Sequence, residues 1–242
     1  VDGDLVMLDP ETIREMEAYY HKREPDLKSG TLYWRIYHLK NQNIIYPVKR
    51  GAYALVQKRA YQPEIEKKII RLKNLVEESY KEIQYNIWTT RWLNEFTVHQ
   101  AMNELILIET EREAMETVFN RLRDNGQKNV FIDPDEKTMR QYVSEEKEAI
   151  IISPMISRAP VENINDVRVP SLEKILVDLF CEETIFYTFK GNELKNIFRH
   201  ALKYYVINFS TLVHYATRRR RDQQIKSFLK TNFETEVKGI IK

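Results

Sequence analysis

The basic residues between Lys28 and Pro63 are those whose types and spacing most directly suggest a chemistry. This stretch contains no Asp or Glu, although the whole chain has 36 acidic residues among 242. Cations without neighbouring carboxylates create a positive potential, so the expected partner is a polyanion; a basic face that is merely solvated is the alternative. The basic residues of the stretch are Lys28, Arg35, Lys40, Lys49, Arg50, Lys58 and Arg59.

Two acidic pairs have spacings known from metal-dependent enzymes, but both lack the rest of the motif. Asp133 and Asp135 have the spacing with which nucleotidyltransferases hold magnesium, yet no Gly-Ser turn precedes them and Pro134 disfavours a strand. Asp135 is instead expected to cap a helix. Glu109 and Glu111 flank a strand end, but no lysine follows two residues later to complete a two-metal nuclease site. The sequence therefore predicts a protein that is not an enzyme.

Glycine, cysteine and histidine usage argues against the common cofactor sites. The 6 glycines are too far apart for a Gly-rich nucleotide loop, and the 5 histidines have no metal-binding spacing. The single cysteine, Cys181, rules out a disulfide framework and a cysteine-based zinc cluster. No apolar run reaches the roughly 18 residues of a membrane span, and no secretory signal is visible. We therefore expect a soluble cytoplasmic protein without cofactor or metal.

Two helices are predicted near the start of the chain. The first ends before Pro25, because proline disfavours helical conformation in the preceding residue. The second begins at Ser29, and its Leu32, Ile36 and Leu39 recur at helical spacing and form one buried stripe. The opposite side of this second helix is then open to solvent.

A basic β-hairpin is predicted directly after the second helix, with strands at 44–46 and 52–56 joined by a turn at 47–51. Helix, turn, helix and hairpin describe a winged helix-turn-helix, in which one helix enters the DNA major groove and a basic wing contacts phosphates. The residues predicted at bases or at the groove wall are Ser29, Thr31, Trp34 and Arg35. Those predicted at phosphates are Lys28, Lys40, Lys49 and Arg50.

Beyond residue 60 strands alternate with helices, and from Ser171 onward the pattern is helical throughout. Strands are predicted at 85–89, 104–109, 129–132 and 149–153, and the later helices at 171–181, 192–206, 209–219 and 222–230. We predict an α+β fold with an N-terminal winged helix-turn-helix domain over 1–60. A larger mixed α/β domain over 61–242 ends in a helical bundle. The polar segment 158–166 is predicted as an exposed linker.

Two charged features of the larger domain each have two interpretations. In the helix 171–181, Glu173, Lys174 and Asp178 form a polar stripe, which we expect to be the solvated edge of a core helix rather than a partner-binding site. The second feature is a run of four arginines, interpreted either as a second phosphate-binding patch or as charge that complements a helix C-terminus. This run consists of Arg218, Arg219, Arg220 and Arg221.

Two segments resemble a known family. The run 31–40 (Thr-Leu-Tyr-Trp-Arg-Ile-Tyr-His-Leu-Lys), followed by Asn-Ile-Ile at 43–45 and Lys-Arg-Gly-Ala-Tyr at 49–53, is similar to the winged helix that opens the AbiE-type antitoxins. Asn43 stands where that family usually has glycine, and asparagine also tolerates the left-handed conformation. The segment 169–179 is similar to the Ser-x-Glu-Arg-Thr-Leu-Leu-Asp helix of the family's C-terminal domain, with Lys174 in place of Arg and Ile175 in place of Thr.

The resemblance implies an antitoxin of a viral-defence, or abortive-infection, operon that represses its own transcription and counteracts a nucleotidyltransferase-like toxin. We therefore expect a sequence-specific, DNA-binding transcriptional regulator whose partner is double-stranded operator DNA, with no membrane partner. A protein-interaction adaptor that uses its winged helix for protein contacts is the alternative. A metal-dependent nuclease or nucleotidyltransferase is the weaker third interpretation.

Overall fold

The computed structural model describes residues 11–41, 45–49, 52–55, 58–79, 82–97, 103–237 and 240. It is a mixed α/β chain with several sheets and a helical C-terminal region, which confirms the mixed fold class expected from the sequence. In the part that the structure describes, no helix is both long and apolar enough to cross a membrane.

The first five elements form a small unit around one three-stranded antiparallel sheet. They are β1 (Glu11–Thr12), α1 (Ile13–Arg23), α2 (Ser29–Asn41), β2 (Ile45–Lys49) and β3 (Ala52–Leu55), and the strand order is β1-β3-β2. Leu32 and Ile36 of α2 pack on Ile45 of β2 and form a small apolar core. The predicted stripe is thus buried, with Leu39 half-buried beside it.

A second, larger apolar core begins at Tyr61 and surrounds a four-stranded sheet. Its elements as far as the last strand are α3 (Lys67–Ser79), β4 (Tyr85–Thr89), β5 (Glu104–Thr110), α4 (Met115–Asp124), β6 (Val130–Ile132), α5 (Glu136–Gln141) and β7 (Glu148–Pro154). The strand order is β4-β5-β7-β6, with β5, β7 and β6 parallel and β4 antiparallel to β5. All four strands lie where the sequence predicts them.

Helices cover both faces of this sheet, which explains why its strands are apolar without alternation. On one face, Lys68 of α3 forms an ion pair with Glu148 of β7. On the other face, Glu109 of β5 accepts a hydrogen bond from Lys174 of the helix at Leu172–Cys181. Consecutive residues of β5 and β7 are therefore buried alike, as in the run 150–152.

The segment 158–166 is not a linker, contrary to the prediction. It contains the first strand and the turn of a β-hairpin. The strands of the hairpin are β8 (Val161–Ile164) and β9 (Val167–Pro170), and its two turn residues are Asn165 and Asp166. Both have positive φ angles, 50° and 62°, which a type I′ hairpin turn requires and which Asn and Asp tolerate. The polar turn residues resemble a linker in sequence, but Ile164 and Val167 on either side of them pair as strands.

The remaining chain is helical, as predicted, with α6 (Leu172–Cys181), α7 (Asn192–Tyr204), α8 (Phe209–Arg218), α9 (Asp222–Asn232) and α10 (Glu234–Val237). The side chains of Ser171 and Asn208 accept hydrogen bonds from backbone N–H groups at the starts of α6 and α8. The rings of Phe198, Phe228 and Phe233 pack together among α7, α9 and α10.

Candidate functional site

The outer side of α2 carries large aromatic side chains that face solvent. Tyr33, Trp34 and Tyr37 are 53%, 62% and 63% exposed, whereas Leu32 and Ile36 on the other side of the helix are buried. Because successive residues are separated by about 100° in an α-helix, the two groups lie on opposite sides. We call Thr31, Tyr33, Trp34, Tyr37 and His38 the α2 outer face.

The rings of Trp34 and His38 stack on each other on this face. They are four residues apart, their ring centroids are 5.3 Å apart and their planes differ by 6°. Thr31 is exposed one turn before Trp34, and Lys28, Ser29 and Lys40 are exposed near the two ends of the helix. The predicted DNA-contacting residues in and beside α2 are therefore exposed, except Arg35, which is partly exposed.

Arg35 is held at the protein surface by an ion pair with Glu24. Its guanidinium donates two hydrogen bonds of 2.8 Å to the carboxylate of Glu24 and lies 5.2 Å from the ring centre of Tyr20. These hydrogen bonds hold the pKa of Glu24 below its usual range. The pair ties the end of α1 to α2, so Arg35 would have to leave Glu24 before it could contact DNA.

Two further cations of the acid-free stretch also have partners elsewhere in the chain. Lys58 donates a 2.5 Å hydrogen bond to the carbonyl oxygen of Leu202, and burial lowers its pKa. Arg59 lies 3.5 Å from Glu95 and 4.7 Å from the ring centre of Tyr205. The positive charge of the stretch is therefore smaller at the surface than its composition indicates.

The predicted wing is described only in part. Lys49 is the last residue of β2, and its backbone pairs with Ala52 of β3. The side chain of Lys49 and the whole of Arg50 lie outside the described residues, as does Asn43. Their predicted contacts with phosphates stay predictions.

The structure divides the arginine run rather than presenting it as one patch. Arg219 points inward, where its guanidinium lies 3.3 Å from Asp178 and 3.4 Å from Glu182. Arg218 donates a hydrogen bond to the hydroxyl of Ser157. Arg220 and Arg221 are exposed just before α9. The second phosphate-binding patch predicted for this run therefore loses Arg219, because two carboxylates already bind it.

A cavity of about 460 Å³ lies at the carboxyl ends of the parallel strands. Glu109 of β5, Ser153 of β7 and Asp133 directly after β6 form its sheet side. Ligands of open α/β sheets bind in this position. We call it the sheet-end cavity; it is further lined by Leu107, Arg112, Pro134, Asp135, Pro154, Ile156, Asp178, Glu182, Thr184, Ile185, Phe186 and Arg219.

A fully buried lysine lies beside this cavity. Lys174 of α6 donates hydrogen bonds of 2.5 Å to both Glu109 and Asp178. Burial alone would lower the pKa of Lys174, but the two adjacent carboxylates raise it above its usual range. Asp178 also accepts a 2.9 Å hydrogen bond from the hydroxyl of Tyr215. The prediction that the polar stripe of this helix is solvated is therefore wrong, because its charged side chains are buried and paired.

Chemically, this arrangement stabilises the sheet and offers little to a metal. The carboxylates of Glu109 and Asp178 already accept hydrogen bonds from Lys174, and Asn86 donates a further one of 3.2 Å to Glu109. Asp135 accepts a 2.8 Å hydrogen bond from the N–H of Thr138 and caps α5, as predicted. Among the described residues, no group of three or more His, Cys, Asp or Glu side chains is arranged to hold a metal ion.

This buried network was not predicted from the sequence. Its signal is present in α6, where apolar residues stand on both sides of the polar stripe, so that no side of the helix is free for solvent. The partner Glu109 lies 65 residues earlier in the chain, which no local pattern can reveal.

Comparison with known proteins gives one match. Residues 31–235 match a family described as a family of unknown function, DUF6577. The matched range extends from α2 to α10 and so includes both the α2 outer face and the sheet-end cavity. No curated protein and no solved structure matches the chain significantly.

Proposed function

We propose that this chain, which belongs to the DUF6577 family, is a DNA-binding transcriptional regulator whose first 60 residues act as a winged helix-turn-helix. The observation that carries the proposal is the arrangement of α1, α2 and the β1-β3-β2 sheet. The helix α2 packs one side on β2 and leaves its other side open to solvent. A helix presented in this way fits the width of the DNA major groove.

In this proposal the exposed residues of α2 face the bases and the cations near its ends face the backbone. Ser29, Thr31 and Trp34 lie at or near the N-terminal half of the helix, from which recognition helices contact base edges. Lys28 and Lys40 are exposed near opposite ends of α2, at positions suited to phosphates on the two sides of a groove. Lys49 and Arg50 are proposed as wing contacts with phosphates.

The antitoxin role is the second part of the proposal and depends on the resemblance to AbiE-type antitoxins. In the matching segment 169–179, Ser171 caps α6 and Asp178 binds the buried Lys174. Glu173 accepts a 2.8 Å hydrogen bond from the N–H of Asn208. These roles are structural, so the motif supports a common domain architecture. We propose that residues 61–242 bind a nucleotidyltransferase-like toxin through another surface.

A protein-interaction adaptor is the competing function, and the exposed aromatics of α2 favour it. Tyrosine and tryptophan are the residue types that contribute most to protein–protein interfaces. The absence of acidic residues between Lys28 and Pro63 favours DNA, since a general protein surface needs no such bias.

Salt dependence of DNA binding tests the proposal. Lys40→Gln is expected to weaken binding to every duplex alike and to reduce the slope of log affinity against log salt by about 0.9, the value for one phosphate contact. Lys230→Gln, which changes an exposed lysine of α9, is the matched control. Fluorescence anisotropy with labelled duplexes measures both slopes. Equal slopes for the two variants would contradict a phosphate contact of Lys40.

A further inference from the structure

The described side chains of the α2 outer face have an unusual chemistry for a helix that reads DNA. They are three aromatic rings, one imidazole and one threonine: Tyr33, Trp34, Tyr37, His38 and Thr31. The guanidinium of Arg35, the group best suited to guanine, is bound in two hydrogen bonds by Glu24. The centre of the outer face therefore presents rings and a methyl group rather than forked donors.

The four bases differ in what such a face can contact. In the major groove, guanine is read by Arg or Lys through two acceptors, and adenine by Asn or Gln through a donor and an acceptor. Thymine carries the C5-methyl group, the one apolar group that a base edge presents there. Aromatic rings and the threonine methyl group are suited to this contact.

We propose that the α2 outer face recognises thymine through its C5-methyl group, with Trp34 and Thr31 as the specificity-determining residues. This inference rests on the proposed DNA-binding function and names the bases that the same surface selects. The rings of Trp34 and His38 stack on each other and are both exposed, and Thr31 is exposed one turn before Trp34.

Charge on and beside α2 favours nucleic acid over a protein as the occupant of this face. The helix contains no acidic residue, and Lys28 and Lys40 are exposed near its two ends. The carboxylate of Glu24 contacts the helix through an ion pair with Arg35. Exposed cations thus lie near both ends of the helix that carries the rings, which favours a polyanionic partner.

Trp34 also provides a direct spectroscopic signal. The chain has 3 tryptophans, and the other two, Trp88 and Trp92, are 1% and 6% exposed. Quenching of tryptophan fluorescence by acrylamide therefore reports mainly on Trp34. Contact with thymine is expected to protect Trp34 from the quencher.

The test compares thymine with uracil, which differs only by the methyl group. The tightest duplex that the full-length protein recovers from a randomised pool is synthesised once with thymine and once with deoxyuridine at every thymine position. We expect deoxyuridine to weaken binding about fourfold for each methyl group contacted, the factor that corresponds to burying one methylene-sized group. Acrylamide protection of Trp34 should fall in parallel.

Trp34→Ala is expected to remove most of the difference between thymine and deoxyuridine duplexes. Tyr142→Ala, at a residue that is 61% exposed and lies in the larger unit, is the matched control and should keep the full difference. Because Trp34 is itself exposed, its replacement leaves the core of α2 unchanged, and circular dichroism checks this.

Three results would overturn the inference, and they are distinguishable. Tight duplex binding with equal affinity for thymine and deoxyuridine would refute thymine recognition and leave the regulator intact. Tighter binding to single-stranded DNA than to the duplex would show that the rings stack on bases and do not contact the major groove. Failure to bind any DNA at low salt would refute the proposed function together with this inference.

Discussion

Replacing the buried lysine beside the sheet-end cavity should destabilise the larger unit strongly. Lys174 is fully buried, and the side chains of its partners Glu109 and Asp178 are only 12% and 7% exposed. Lys174→Met would leave both carboxylates without this cation. Removing one member of a buried ion pair costs about 3–5 kcal/mol. Arg219 stays 3.3 Å from Asp178 and compensates part of the loss.

We therefore expect Lys174→Met to lower the free energy of unfolding by about 3 kcal/mol, at the lower end of that range. For a chain of this length the loss corresponds to a decrease in Tm of about 6–12 °C. Urea unfolding followed by circular dichroism measures the first quantity and a thermal scan the second. Adding Glu109→Gln to Lys174→Met should recover part of the loss, since a neutral amide needs no cation.

An exposed ion pair provides the control. Arg140 and Glu136 lie 2.8 Å apart on α5, and both side chains are more than two-thirds exposed. Arg140→Met should lower the free energy of unfolding by less than about 0.5 kcal/mol. A loss below about 1 kcal/mol for Lys174→Met, or no recovery in the double variant, would refute the argument that a buried charge network stabilises this sheet.

Three further predictions concern single side chains. Burial lowers the pKa of His200, so the free energy of unfolding should fall as the pH falls below about 6.5. In urea unfolding between pH 5 and 8, His200→Phe should reduce this dependence on pH, whereas the control His214→Phe should not. An unchanged pH dependence in His200→Phe would contradict a role for His200. Ser171→Ala should lower the free energy of unfolding by about 1 kcal/mol, because α6 loses its N-cap, and a change near zero would contradict this role of Ser171. Glu24→Gln should free Arg35 for a phosphate contact and steepen the salt slope of DNA binding by about 0.9, and an unchanged slope would contradict this prediction.

Local patterns predicted those elements whose signals are contained in one segment. The spacing of Leu32 and Ile36 predicted α2 and its buried side, since helical periodicity needs no knowledge of the rest of the chain. The apolar strand over 149–153 and the helix capped by Ser171 were predicted for the same reason. For most of these elements, the predicted and observed boundaries differ by one or two residues.

Long-range partners account for what the sequence could not reveal. Arg59 and Lys58 are basic in composition, but Glu95 and the backbone of Leu202 bind them from distant positions. Lys174 looks like the edge of an amphipathic helix until Glu109 is brought to it by the sheet. Charge counted along a chain overestimates charge at a surface whenever tertiary contacts supply the counter-ions.

DNA binding by the full-length chain is the central claim, and one measurement tests it most directly. Fluorescence anisotropy compares a duplex from the region upstream of the protein's own gene with a scrambled duplex of equal composition, over a range of salt concentrations. We predict tighter binding to the upstream duplex and an affinity that falls steeply as salt rises. Equal affinity for both duplexes would contradict sequence-specific regulation, and no binding to either at low salt would contradict DNA binding altogether.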